Sequence, residues 1–354
     1  MTICYFGDYD RDYARTRVIL RGLEAHDVSI RHCNVREKGV VGYWKLWRQL
    51  RSLHGAYDVI FIPMSNARIY PFLAQLWSSK PVVWEPLFSL YDNWVNDRKL
   101  VSPLHPKAFY YWFLDWLGSH SADMVVLDTR TNAMFFHDTF GVSQKKLAHV
   151  YIGADDTIFS PLERTNVAPN FEVEFHGGYI PVQGADVIVR AAKLLENDGV
   201  HFTMIGSGQT LKATKRLAEE LKVSNVTFLP FLPQTEVVQF IQNAAVCIGL
   251  IGDVPRVVRA IPNKLYEAAA MSRPCINADT PALRELFTPG VDTIGVKQGD
   301  PKDLVRVIRE LKVSGNGSEI GKRARETYLK WGTNKEVGKQ MVSVLSRLPH
   351  KRIS

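Results

Sequence analysis

The sequence predicts an α/β protein made of two doubly wound units in tandem. Short apolar runs alternate with helical periodicities along most of the chain, the mark of parallel sheets covered on both faces. The alternation starts afresh after residue 165, and 354 residues suit two domains of ordinary size better than one core.

In the first half, Ile3–Phe6, Val28–His32, Val59–Pro63, Pro81–Trp84, Met124–Leu127 and Ala148–Tyr151 read as buried strands. Tyr13–Glu24 and Tyr43–Leu53 show helical spacing between them. From Phe159-Ser160-Pro161 to Pro169, Pro, Thr, Asn and Ser replace the apolar periodicity, as a linker requires. A second series then has strands at Phe171–Phe175, His201–Ile205, Val226–Phe228, Cys247–Leu250 and Pro274–Asn277. Its helices are Val187–Leu195, Leu211–Leu221, Thr235–Asn243 and Lys264–Met271. We therefore expect domains at 1–164 and 165–331, with the tail 332–354, including the helix Asn334–Leu348, crossing back to the first. Ligands of such sheets bind beyond the carboxyl ends of the strands, so two facing units would enclose a deep cleft.

Apolar residues make up 46% of the chain and charged residues 23%, the balance of a soluble globular protein. No window approaches the ~20 apolar residues of a membrane span. The nearest candidate, Ala108 to Gly118, is too short and carries Asp115. Met1 leads straight into a strand-like run without the basic and apolar regions of a secretion signal, and a cytoplasmic location is expected. Cys4, Cys33, Cys247 and Cys275 are scattered and read as buried free thiols rather than disulfides or a zinc site. A net charge of +8 favours an anionic partner. Nucleic acid is not expected, because no zinc finger, helix-turn-helix or RNP-like aromatic pattern accompanies the charge.

The run Phe175-His176-Gly177-Gly178-Tyr179-Ile180-Pro181-Val182-Gln183-Gly184 joins a strand to a helix. Glycines at such a turn either bring backbone N–H groups to a phosphate at a helix N-terminus or merely make a tight turn. Ile205-Gly206-Ser207-Gly208-Gln209 is a second glycine turn at the same edge. In Ile261-Pro262-Asn263-Lys264-Leu265-Tyr266-Glu267-Ala268-Ala269-Ala270-Met271, Pro beside Asn opens a helix. Glu267, about one turn inside, could accept hydrogen bonds from both hydroxyls of a ribose, and Lys264 could reach a phosphate. The same two residues could equally be an i, i+3 pair on a solvated face. Thr280, Pro281 and Ala282 form a further turn whose N–H groups could hold the same phosphates.

Together with Phe228-Leu229-Pro230-Phe231-Leu232-Pro233, these segments resemble the donor domain of family 4 glycosyltransferases. Ala122-Asp123 to Thr129 and Gly153 to Pro161 resemble that family's approach to its interdomain linker. The resemblance is good over residues 120 to 290 and reaches the first hundred only by pattern. It implies a GT-B architecture, two Rossmann-like doubly wound domains around a cleft, the first binding acceptor and the second donor. It also implies retaining transfer from a nucleoside diphosphate sugar, used as co-substrate with neither cofactor nor metal. Glu267 matches the family's ribose-binding glutamate, and Gly7, Gly177, Gly178, Gly184, Gly206, Gly208, Phe231, Thr280, Pro281 and Ala282 complete the expected donor site.

The chain departs from the family where Gly178 and Gln183 replace the Arg and Lys that hold the donor diphosphate. Arg259 replaces a glutamate that contacts the donor sugar. Arg256, Arg259 and Lys264 bring positive charge to the same approach, and Arg259 and Lys264 are expected to take over the diphosphate and its catalytic stabilisation. Loss of donor binding, leaving a nucleotide-sugar-binding pseudoenzyme, is the alternative; a nucleotide-sugar epimerase is a lesser one.

In the first domain Gly7-Asp8-Tyr9 follows the opening strand, with Arg11 and Arg15 either supplying cations there or lying exposed on the next helix. Where the family it resembles often carries a histidine after the fourth strand this chain has none, and Glu85 and Asp92 are the carboxylates there expected to orient or deprotonate an acceptor hydroxyl. Each could instead be a loop cap or turn former. His176 and His105 are expected to be structural. Tyr43, Leu46, Trp47, Leu50 and His54 recur at helical spacing beside Lys45, Arg48 and Arg51, and are expected to pack on their own sheet. The aromatic run Phe109 to Trp116 exceeds one core face. With that basic helix it makes a glycan or lipid-linked acceptor, and peripheral contact with an anionic inner membrane face, further expectations.

Overall fold

The structure is a computed structural model and describes residues 1–65, 67–162 and 170–348. Two compact units divide the chain. One comprises Met1–Val95, Lys99–Ile152 and the segment from Asn334 onward; the other comprises Asn96–Arg98 and Gly153–Thr333. The expected boundary at 164/165 lies outside the described residues, as does most of the expected linker.

The first unit runs β1 (Thr2–Gly7), α1 (Ala14–Glu24), β2 (Ser29–Asn34), α2 (Gly39–Ser52), β3 (Val59–Ile62), α3 (Tyr70–Trp77) and β4 (Val82–Trp84). A π-helical turn, Asp92–Asp97, precedes α4 (Pro106–Ser121), β5 (Met124–Leu127), α5 (Arg130–Phe140) and β6 (Leu147–His149). Its parallel sheet has the order β2-β1-β3-β4-β5-β6. Alternate residues of β1 enter different cores: Ile3 and Tyr5 one, Cys4 and Phe6 the other. That is why the strand reads as an unbroken apolar run.

The second unit runs β7 (Phe171–Gly177), α6 (Ala185–Leu194), β8 (Val200–Gly206), α7 (Leu211–Glu220), β9 (Val226–Leu229) and α8 (Gln234–Asn243). It continues with β10 (Val246–Ile248), α9 (Asn263–Ala270), β11 (Cys275–Ala278), β12 (Ile294–Val296), α10 (Pro301–Ser314) and α11 (Gly317–Trp331). The parallel order is β12-β11-β10-β7-β8-β9. Both sheets are thus doubly wound α/β, as the alternation predicts. The three-residue β12, with Gly295 at its centre, is the one strand the periodicity does not reveal.

The last helix, α12 (Asn334–Leu345), belongs to the first unit and packs on α1. A Cβ on Gly338 would come within 2.0 Å of the Gly22 carbonyl oxygen, so glycine on both helices permits this crossing.

Two buried ion pairs brace the loop after β4. Arg15 on α1 donates from Nε and Nη2 to Glu85 Oε1 at 2.9 and 2.7 Å, and its remaining bonds go to the carbonyls of Val150, Tyr151 and Ile152. Arg68 donates to the carbonyls of Pro86 and Phe88 and lies 3.5 Å from Asp115, which accepts from Ser89 Oγ and Tyr91 N. Asp115, isolated in an aromatic stretch of the sequence, is therefore a fully buried anchor for that loop.

On α2, Leu46 and Leu50 are buried as the stripe predicts, but Trp47 and His54 face solvent. Val40, Val41 and Trp44 add a second, exposed apolar row. Arg48 lies over Trp44 at 4.7 Å and Arg51 over Trp47 at 5.6 Å. Phe109, Tyr110 and Phe113 of α4 are also exposed. No helix among the described residues is long and apolar enough to cross a membrane.

Candidate nucleotide-sugar site

In β7, Val173 and Phe175 enter the core, so Glu174 and His176 share the opposite face, where α8 and α9 lie. His176 is clasped by two carboxylates: Nδ1 lies 2.8 Å from Glu174 and Nε2 lies 2.7 Å from Glu267. The other Glu267 oxygen accepts from Gln234 Nε2 at 2.9 Å. Burial would lower the imidazole pKa, but the carboxylates outweigh it and raise the value to about 9. The sequence gives no hint of this because Glu267 is 91 residues from His176. The one legible signal is a glutamate and a histidine two apart in an otherwise apolar strand.

Lys264 does not meet the expectation of an outward phosphate cation. It is 5% exposed, lies over the Phe175 ring at 3.9 Å and donates to the Gly249 carbonyl at 3.3 Å. Burial lowers its pKa to about 8, against the opposing pull of Glu174 and Glu267. Cys247 and Cys275 are register partners on β10 and β11, and both are buried free thiols, as are Cys4 and Cys33.

The glycine turns share one edge with this cluster. A Cβ on Gly206 would lie 2.0 Å from the Gly177 carbonyl oxygen, and one on Gly208 would lie 1.7 Å from that of Gly178. Close backbone approach is thus reason enough for both glycines. Gly184 is left-handed (φ +71°) and abuts Gly252. Gln183, where the family carries Lys, folds its amide back to accept from Tyr179 N. Arg256 is matched by the fully buried Asp97 at 2.9 Å, and Asp97 also accepts from Val182 N.

The remaining expected residues are spread out. Arg259 ends the 3₁₀ turn Pro255–Arg259 and is half-buried. Ala282 N donates to Val258 O of that turn, and Leu283 N to Thr280 Oγ1. Pro281 has no N–H to offer. Phe231 is 72% exposed beyond β9.

In the first unit, Gly7 ends β1 with φ +143°. Glu85 does not await an acceptor: it is 1% exposed and occupied by Arg15. Arg15 is likewise neither an exposed helix residue nor a phosphate cation. Asp92, also buried, opens the π-helical turn, its backbone N–H donating to Ser89 Oγ. Among the described residues no cluster of metal-ligating side chains occurs.

Two doubly wound parallel sheets, the second with its glycine turns and buried glutamate at one edge, make this a GT-B fold. Residues 171–312 match the family model for glycosyl transferases group 1. It is 24% identical over 218 residues to the Escherichia coli (strain K12) protein WcaL, named as a colanic acid biosynthesis glycosyltransferase. That match covers 59% of this chain and about half, 53%, of the relative. The fold is similar to that of Anabaena HepE in complex with UDP-glucose (TM-score 0.75, 15% identity, 98% of this chain and 100% of that one). It is also similar to that of sucrose-phosphate synthase from Thermosynechococcus elongatus (TM-score 0.77, 13% identity, 98% and 99%).

Proposed function

We propose that the protein transfers a sugar, with retention, from a nucleoside diphosphate sugar to a glycan, lipid-linked or small-molecule acceptor in cell-surface glycan synthesis. The observation that carries this reading is Glu267. Its carboxylate is held by His176 and Gln234 at the start of α9, inside the segment that matches the family model. Each carboxylate oxygen can accept two bonds, so both still have room for a ribose hydroxyl. The second unit binds the donor and the first the acceptor. The N–H groups of Tyr179, Val182, Gln183 and Gly184 are bonded within the fold, so Gly178 offers its N–H to the diphosphate, with Arg259 as its cation, Phe231 offers a face to the base, and no metal is required. Uridine diphosphate sugars are the first donors to test, because HepE is described in complex with UDP-glucose.

The acceptor is carried to the enzyme at an anionic membrane face, met by Trp44 and Trp47 with Arg48 and Arg51 of α2 and by the exposed aromatics of α4. A binding-only protein is favoured by one observation: Lys264, an expected replacement cation, and Arg256 on the same approach are engaged within the unit. Nucleoside diphosphate release from a panel of donors, with and without crude membrane glycolipid as acceptor, separates the two. Acceptor-dependent release is expected, whereas donor binding without release in any combination selects the binding-only protein.

A further inference from the structure

His176 is the part of this edge that the proposed reaction does not yet use. Its two ring nitrogens face two different carboxylates at hydrogen-bond distance. A neutral imidazole has one N–H, so it would set a lone pair against one of those carboxylates. With both groups present as carboxylates, only the imidazolium satisfies both contacts. Glu174 supplies the far end of the clasp: it is 2% exposed and carries one oxygen, Oε2, without a hydrogen-bond partner. A carboxylate so deeply buried is costly unless a cation accompanies it, and the ring beside it is that cation. The chain Glu174–His176–Glu267 thus runs from the interior to the group that faces the donor, in the way a buried carboxylate orients a histidine in other enzymes.

We propose that His176 is a positioning residue that fixes the Glu267 carboxylate in one orientation to take the two ribose hydroxyls of the donor. The inference rests on the assignment of Glu267 to the ribose. His176 needs no contact with the nucleotide, since both nitrogens are spent on carboxylates. The charged groups around it are Glu174 on its own strand, Glu267 and Lys264 on α9, and the thiols of Cys247 and Cys275 behind Glu174 and Lys264 on β10 and β11. Gln234 from α8 is the neutral neighbour. With two carboxylates against one imidazolium and one ammonium, the cluster is balanced only while His176 is protonated. The carboxylates hold that proton to a pKa of about 9.

The test reads recognition of the ribose rather than affinity as a whole. UDP, ADP and GDP and their 2′-deoxy counterparts are titrated calorimetrically into the full chain, its Glu267→Ala, His176→Ala and His176→Gln variants. For the base that binds, the wild type at pH 7 is expected to prefer the ribonucleotide about tenfold, the worth of one good charged hydrogen bond. Glu267→Ala and His176→Ala should both bring that ratio near one. His176→Gln, which keeps one neutral donor and comparable bulk, should give an intermediate ratio that does not change with pH. In the wild type the ratio should fall as the pH is raised from 7 to 10. If His176→Ala keeps the full ratio while Glu267→Ala loses it, the positioning role is wrong. If Glu267→Ala keeps it as well, the ribose assignment itself fails. Should His176→Ala not fold, a pH-independent wild-type ratio, or an unchanged ratio in His176→Gln, overturns the proposal.

Discussion

Replacing Arg15 by Met tests whether Glu85 is a structural or a catalytic carboxylate. The guanidinium gives two bonds to Glu85 and three to the carbonyls of residues 150–152, all inside the first unit. Removing it leaves a carboxylate that is 1% exposed beside carbonyls that have lost their donor. Breaking a buried pair from one side costs about 3–5 kcal/mol. Glu85, whose pKa burial already raises against the pull of Arg15, would respond by taking up a proton. Urea unfolding followed by far-UV circular dichroism should show that loss for Arg15→Met, and the double variant Arg15→Met with Glu85→Met should recover most of it. Glu85→Gln supplies the functional half of the test. A general base would forfeit about 10²–10⁴ in turnover, whereas a structural Glu85 leaves turnover of the folded protein within roughly threefold. A loss below about 1 kcal/mol in Arg15→Met, or turnover abolished in a folded Glu85→Gln protein, would refute the reasoning.

Three further outcomes are expected. Gly338→Ala would place a methyl 2.0 Å from the Gly22 carbonyl oxygen and should destabilise the first unit by about 1–3 kcal/mol in the same urea assay. In the second unit, His176, raised from 6.5 to about 9, contributes stability that is whole below about pH 6.5 and lost as the pH passes 9. Lys264, lowered from 10.5 to about 8, imposes a cost that is whole below about pH 8 and gone above 10.5. Unfolding free energy should therefore fall by roughly 1 kcal/mol per unit between pH 6.5 and 8, then level as the two effects oppose, and His176→Gln should remove the fall. Trp44→Ala with Trp47→Ala should reduce co-sedimentation with vesicles of anionic phospholipid about tenfold or more without changing the urea midpoint, because both indoles are substantially exposed.

The fold was legible because both sheets are buried on two faces. Runs such as Ile3–Phe6 and Val59–Ile62 have no solvent-facing residue to break them, and the helices between keep their own period. β12 escaped notice since three residues with a central glycine make no run. The donor edge was legible as far as its backbone: the turns at Gly177–Gly184 and Gly206–Gly208 and the start of α9 lie where the pattern puts them. Side-chain roles were not. Sequence spacing cannot tell that Arg15 meets Glu85 seventy residues away, that Asp97 meets Arg256, or that Lys264 lies over Phe175. Charge counted along the chain put Arg259 and Lys264 at the diphosphate with Arg256 on the same approach; in space Arg256 pairs with Asp97 and Lys264 donates to the Gly249 carbonyl. Conversely, His176 has one partner, Glu174, two residues away on its own strand and another, Glu267, 91 residues on that no spacing reveals.

In the proposed function, Glu267 at the start of α9 receives the donor nucleotide. Calorimetric titration of the preferred nucleoside diphosphate sugar into the wild type and into Glu267→Ala, with circular dichroism as the check on folding, addresses it most directly. The substitution is expected to weaken binding by about 1–3 kcal/mol while the spectrum is unchanged. Equal affinity in the two folded proteins would contradict it.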